Sequence, residues 1–154
     1  MSKWLAAPVF FILFTLMGCS SNGMEGDQPP KSMIQIGKQT YAMKLGSYCW
    51  NANGQGTCVD TLGPVEQLKG KKPIEVRTGE VVTFVMNYHP KPNEFRLTQM
   101  NNNHEIDFDV EKNLFTAPVE KGIYYYSYGV WWMDEKDEHL SNGSASYAFA
   151  LEVK

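Results

Sequence analysis

Three cysteines, three histidines and one dense run of carboxylates are the residues of this chain whose types and spacing could do chemistry. Cys49 and Cys58 sit at matching ends of a polar, glycine-rich turn, Asn51-Ala52-Asn53-Gly54-Gln55-Gly56, with an extended piece on either side. Two strands meeting across such a turn bring the thiols within reach of a cross-strand disulfide. A redox pair would be spaced C-x-x-C, and no histidine lies nearby in sequence to complete a zinc site. The loop from Met133 to His139 gathers Asp134, Glu135, Asp137, Glu138 and His139, a set that could bind a divalent cation. Its spacing does not follow an EF-hand, and a solvated loop tip is the simpler expectation. His89, His104 and His139 fall in separate turns, and Met86, Met100 and Met133 also lie near strand ends. A blue-copper site would need a free cysteine thiolate beside such ligands, and pairing of Cys49 with Cys58 removes it. No Gly-x-Ser-x-Gly elbow, His-Glu-x-x-His helix or phosphate-cradling loop is present. The expectation is therefore a protein that is not an enzyme, with no catalytic residue and no cofactor beyond the candidate cation.

The third cysteine, Cys19, closes an N-terminal segment of a different kind. Lys3 gives a positive start, Leu5 to Met17 an apolar run, and Gly18 a small residue directly before the cysteine. That order fits a cleavable lipoprotein signal peptide over residues 1–18, with Cys19 as the lipidation site. An ordinary secretory segment with an incidental cysteine is the alternative. Acylation of Cys19 accounts for the odd thiol of a secreted chain and leaves Cys49 and Cys58 as its one disulfide. Residues 19–32 are rich in Gly, Ser, Asn and acidic residues and include Pro29-Pro30. They read as a flexible tether holding a domain of residues 33–154 off the membrane. A net charge of −3 without a basic stripe argues against a nucleic-acid partner. The expected location is the extracytoplasmic face of the cell membrane, with the lipid as the membrane contact.

The elements that must position these residues are strands. Val82, Phe84, Met86 and Tyr88 alternate with polar or outward residues, as do Phe95 and Leu97, then Ile106, Phe108 and Val110. Tyr124, Tyr126, Tyr128 and Val130 share one face of a later strand, and Tyr147, Phe149, Leu151 and Val153 share one face of the last. Asp107, Asp109 and Glu111 form a solvent-facing row that discourages edge pairing. With breakers between the runs, the fold class is all-β: a single immunoglobulin-like β-sandwich of about seven to nine strands. Gly122-Ile123-Tyr124 resembles the tyrosine corner of such sandwiches. Ile123–Trp132 and Ser144–Lys154 should pair as a hairpin around a loop from Met133 to Gly143. The parity of Tyr124 puts Trp132 inside and Trp131 outside, and a bulge would reverse them.

Gly46-Ser47-Tyr48-Cys49-Trp50, the glycine turn and Thr57-Cys58-Val59-Asp60 together resemble a motif of small uncharacterised lipoproteins and secreted proteins of Gram-positive bacteria. There a Ser-Tyr-Cys-Trp-like strand precedes a glycine turn and a Cys-Val-Asp-like strand. The resemblance covers about the Gly46–Tyr88 half of the domain. It implies an extracytoplasmic location and brings no activity with it.

Aromatic crowding gives the functional expectation. Tyr125 and Trp131 should lie on the outer face of their strand, together with Trp50, where they can stack on sugars or accept a partner protein. Otherwise that face is covered by another strand or by the tether. The leading expectation is a lipid-anchored, non-catalytic binding module for a surface protein or cell-wall ligand. The alternatives are a divalent-metal-binding or metal-sensing lipoprotein using the 134–139 loop, and an accessory subunit or inhibitor of a surface enzyme.

Overall fold

Alternation of apolar and polar side chains is realised as strand structure nearly throughout. The structure, a computed structural model, describes residues 23–101, 104–111 and 113–154, so the expected signal peptide and Cys19 lie outside the described residues. In chain order the strands are β1 (Ser32–Ile36), β2 (Gln39–Ala42), β3 (Lys44–Ala52) and β4 (Gln55–Val59). After a one-turn helix, α1 (Pro64–Gln67), come β5 (Ile74–Val76), β6 (Val81–Met86), β7 (Glu94–Asn101) and β8 (His104–Phe108). The chain ends with β9 (Leu114–Thr116), β10 (Gly122–Met133) and β11 (Ser141–Val153). None of the described helices is long and apolar enough to cross a membrane.

Two sheets pack face to face. One is four-stranded in the order β2-β1-β6-β9; the other is seven-stranded, β4-β3-β11-β10-β7-β8, with β5 paired parallel to the end of β11. From β5 onward this is the immunoglobulin-like arrangement. β11, β10, β7 and β8 make one sheet, β6 and β9 belong to the other, and the β10–β11 hairpin is the last in the chain. The N-terminal part adds two hairpins: β1–β2 joins β6 and β3–β4 joins β11. These bring the described strands to eleven, above the expected number. Some of the additional strands carry no alternation: every residue of β4 is exposed, so no period-two burial marks it.

The expected tyrosine corner is present. The Tyr124 hydroxyl donates to the Glu120 carbonyl at 2.9 Å and ties the start of β10 to the preceding turn. Along β10, Tyr126, Tyr128, Val130 and Trp132 are buried, and the register shift against β11 comes only between Trp132 and Met133. The bulge therefore falls too late to invert the tryptophans: Trp132 points inward and Trp131 outward. The hairpin loop is shorter than expected, because Gly143 is a strand residue of β11 paired with Trp132 and Trp50. A Cβ at Gly143 would lie 2.7 Å from the Trp50 ring, so the missing side chain makes room for the indole rather than a turn.

The tether expectation changes from Met24 onward. Met24 is buried, and its N–H donates to the Asn51 carbonyl at 2.8 Å. The Trp50 indole N–H donates to the Gly26 carbonyl at 2.9 Å. The Tyr88 hydroxyl accepts from the Glu25 N–H at 2.8 Å and donates to the Glu25 carbonyl at 3.0 Å. The Tyr147 hydroxyl donates to the Pro30 carbonyl at 2.7 Å. Polar composition gave no reason to expect burial here. The segment instead supplies acceptors to buried aromatic N–H and O–H groups, which must find partners.

Gly143→Ala should lower stability by about 1–3 kcal/mol through overpacking against Trp50. Gly56→Ala, with nothing within 4 Å of its added methyl, should leave stability nearly unchanged. Urea unfolding of both variants checks this, and equal midpoints would show that Trp50 relaxes without cost.

Candidate functional site

The outer face of the seven-stranded sheet carries rows of small side chains. Trp131 pairs across strands with Glu94 and Ser144, Ser144 in turn with Cys49, and Cys49 with Cys58. The next row holds Arg96, Gly129 and Ser146, and the one after it Asp107, Thr98, Ser127 and Ala148. Side chains of this size leave a depression between taller walls, a groove of about 510 Å³.

Trp131 forms the aromatic part of the groove. A Cβ at Gly129 would lie 2.8 Å from the Trp131 ring, so the indole lies along β10 over the bare backbone of Gly129 and remains only half-buried. On one side stand Arg96 and Asp107. The Arg96 Nε and Nη2 donate to the two carboxylate oxygens of Asp107 at 3.0 and 2.7 Å, and the Thr98 hydroxyl donates to Oδ1 at 2.9 Å. The Arg96 guanidinium and the Thr98 hydroxyl hold the Asp107 carboxyl below the usual carboxylate range. The other side is built by β4 and the turn that follows. The Ser47 hydroxyl donates to Asp60 Oδ1 at 2.9 Å and accepts from the Thr61 N–H at 3.0 Å. The Ser146 hydroxyl donates to the Ser47 carbonyl at 3.0 Å. Ser146 Oγ lies 2.6 Å and Gln67 Nε2 3.0 Å from where a Cβ of Gly46 would stand, so a side chain there would push both polar groups aside.

The Cys49–Cys58 disulfide is formed across a directly opposed pair of β3 and β4, as the sequence leads one to expect. It belongs to the groove lining and fastens β4, whose residues are all exposed, to the sheet. Both cysteines are consumed as a cross-link, so the thiols offer no nucleophile.

Of the three aromatics expected to bind, the structure places one in the groove. Trp131 is there. Trp50 is corrected: it is 2% exposed and points into the core, where its ring meets Trp132 edge-on at 5.0 Å. Its strand parity is opposite to that of Cys49, which is the outward residue. Tyr125 lies on the outer face of β10 but about 20 Å along the strand from Trp131, and does not line the groove. At that end the outward Ala148 and Ala150 are buried beside Leu68, Lys71 and Lys72, with which they line a separate cleft of about 590 Å³. The segment around α1 thus covers one half of the sheet and leaves the other open.

In the acidic loop two carboxylates are engaged by backbone N–H groups of the loop itself. Asp134 Oδ1 accepts from the N–H groups of Lys136 and Asp137 at 2.8 and 3.2 Å, and Asp137 Oδ1 from the His139 N–H at 3.0 Å. These carboxylates close the turns of their own loop. The Lys136 N–H holds the Asp134 carboxyl below its ordinary range. Glu135, Glu138 and His139 project into solvent, and the described residues contain no group of three or more His, Cys, Asp or Glu placed to share an ion.

Ser47, Asp60, Arg96, Thr98, Ser127, Ser144 and Ser146 were not singled out by sequence. One signal for them exists: opposite the buried aromatics, β10 reads Ser127, Gly129 and β11 reads Ser144, Ser146, Ala148, Ala150. Such a run of small outward residues marks a sheet face approached closely by something else. Arg96 and Asp107 carry no such mark, since only the β7–β8 register brings them together.

Replacing Cys49 and Cys58 by serine should lower stability by about 2–3 kcal/mol, the loop-closure value for so short a ring. Denaturant unfolding under non-reducing conditions measures it, and an unchanged midpoint would show that β4 is held without the cross-link. Compared with known proteins, the chain matches no family model, no curated protein and no solved structure.

Proposed function

We propose that the protein is a lipid-anchored, extracytoplasmic, non-catalytic binding module whose ligand enters the groove on the seven-stranded sheet. The observation that carries this reading is the indole of Trp131 laid over Gly129 and left half-exposed within a groove of about 510 Å³. A volume of that order with one aromatic surface and a few fixed polar groups is typical of a ligand site. The Ser47–Asp60–Thr61 bonds and the Arg96–Asp107 pair hold the walls of the groove in place, an arrangement suited to recognition.

The membrane address rests on Lys3, the apolar stretch from Leu5 to Met17 and the Gly18-Cys19 junction. If Cys19 carries the lipid, four residues separate it from the buried Met24, five steps along the chain and a reach of at most about 17 Å. The domain then lies close to the bilayer instead of standing off on a stalk. On this reading the end of the sandwich where Gly23 and Met24 sit with Asp134, Glu135 and Lys136 is the one turned to the membrane. Cys19→Ser in the full-length chain should move the protein out of the membrane fraction of a Gram-positive host, and unchanged membrane retention would overturn the lipid anchor.

A photo-crosslinking amino acid at Ser144 in intact cells should yield a discrete adduct that Trp131→Ala removes while the melting temperature stays within a few degrees. The same probe at Val119, which is 75% exposed elsewhere on the surface, should yield none. Equal labelling at both positions would sink the groove as a binding site.

A further inference from the structure

We infer that the groove takes a neutral glycan chain, with one pyranose ring stacked on Trp131. This rests on the reading of the groove as the binding site and adds the ligand class.

The charge in the groove does not favour an anionic ligand. Arg96 is neutralised by both oxygens of Asp107, and Asp60 is occupied by Ser47 and by the Thr61 N–H at 2.9 Å. Among the described residues, no uncompensated cation lines the groove to attract phosphate or carboxylate. A protein partner would seek a contiguous apolar centre with aromatic anchors. Here the floor of Ser127, Gly129, Ser144 and Ser146 interrupts the apolar surface contributed by Trp131, Tyr48, Val59 and the disulfide. What the groove offers is one flat, polarisable ring and a border of hydroxyls that both donate and accept.

A pyranose matches that combination. One of its faces presents aliphatic C–H groups, which lie well against an indole, and its edge presents hydroxyls of both hydrogen-bonding senses. Gly129 is what makes the ring available as a platform, because any side chain there would lift the indole off the sheet. The groove crosses five strands from β4 to β7, a span of about 19 Å at normal strand spacing. That is long enough for several linked sugar rings rather than one. The walls are fixed in advance: the disulfide holds β4, the Ser47–Asp60–Thr61 bonds hold the turn after it, and the Arg96–Asp107 pair spans β7 and β8. Little ordering remains for a ligand to impose.

Full-length protein in detergent micelles is titrated with neutral oligomers of N-acetylglucosamine, glucose and mannose, and with a glycerol phosphate oligomer as an anionic control. Calorimetry and tryptophan fluorescence are the readouts. At least one neutral oligomer should bind, Trp131→Ala should weaken it tenfold or more, and Trp131→Phe should retain most of it, with the melting temperature kept in both. Sugar binding unmoved by Trp131→Ala, or preference for the glycerol phosphate oligomer, overturns the inference. If no neutral oligomer binds while mass spectrometry of the Ser144 adduct finds a foreign peptide and no sugar, the sugar ligand is wrong and the binding module stands. Neither sugar binding nor an adduct removes both.

Discussion

The packing of Trp50 against Trp132 and Tyr88 is the contact on which the rest of the molecule depends. Trp50 comes from the added β3–β4 hairpin, Trp132 from β10 at the centre of the large sheet, and Tyr88 from the segment leaving β6 of the small one. Their ring centroids lie 5.0–5.8 Å apart in tilted and edge-to-face arrangements, the geometry that aromatic quadrupoles favour. The cluster locks both sheets and the N-terminal hairpin into one body. It also recruits the segment before β1, because the indole of Trp50 and the hydroxyl of Tyr88 must be satisfied and the backbone of Gly26 and Glu25 satisfies them. Gly143 gives the space for it.

The same cluster builds the opposite face. Residues of a strand alternate sides, so fixing Trp132 inward fixes Trp131 outward, and fixing Trp50 inward fixes Cys49 outward. The disulfide is therefore on the open side of the sheet, where it can retain a strand with no buried residue of its own. The groove is in this sense the reverse image of the core. Large aromatics fill the space between the sheets, and outward Ser127 and Gly129 of β10 and Ser144 and Ser146 of β11 are small and leave a depression on the outside. The segment containing α1 closes half of that outer face and leaves the half with Trp131.

Much of this was legible because it is local. Alternation identifies a half-buried strand without knowledge of its neighbours, so β6, β10 and β11 stand out. Tyr124 is recognisable because its acceptor, the Glu120 carbonyl, lies four residues away. Cys49 and Cys58 face each other across a turn that the sequence itself marks. The errors have a common origin in distance along the chain. The orientation of Trp50 depends on Trp132 and Gly143, both far along the sequence. Gly143 reads as a turn residue because nothing nearby reveals the ring that occupies its empty side. The polar stretch before Ser32 reads as tether because its fit to the domain comes through backbone acceptors, which composition does not encode.

By itself, then, the sequence determined the strands that alternate, the facing of Cys49 and Cys58 across their turn and the sandwich class, since each follows from steric periodicity or short-range closure, while the parity of the two tryptophans waited on where the bulge falls. Only the tertiary structure decided which aromatic is a platform and which is core, that the acidic loop spends carboxylates on its own turns, and that Ser47, Asp60, Arg96 and Ser146 border one groove. Those outcomes depend on which strands become neighbours. Strand pairing is set by the burial of the whole apolar surface at once, a global free-energy balance that no local window of the sequence contains.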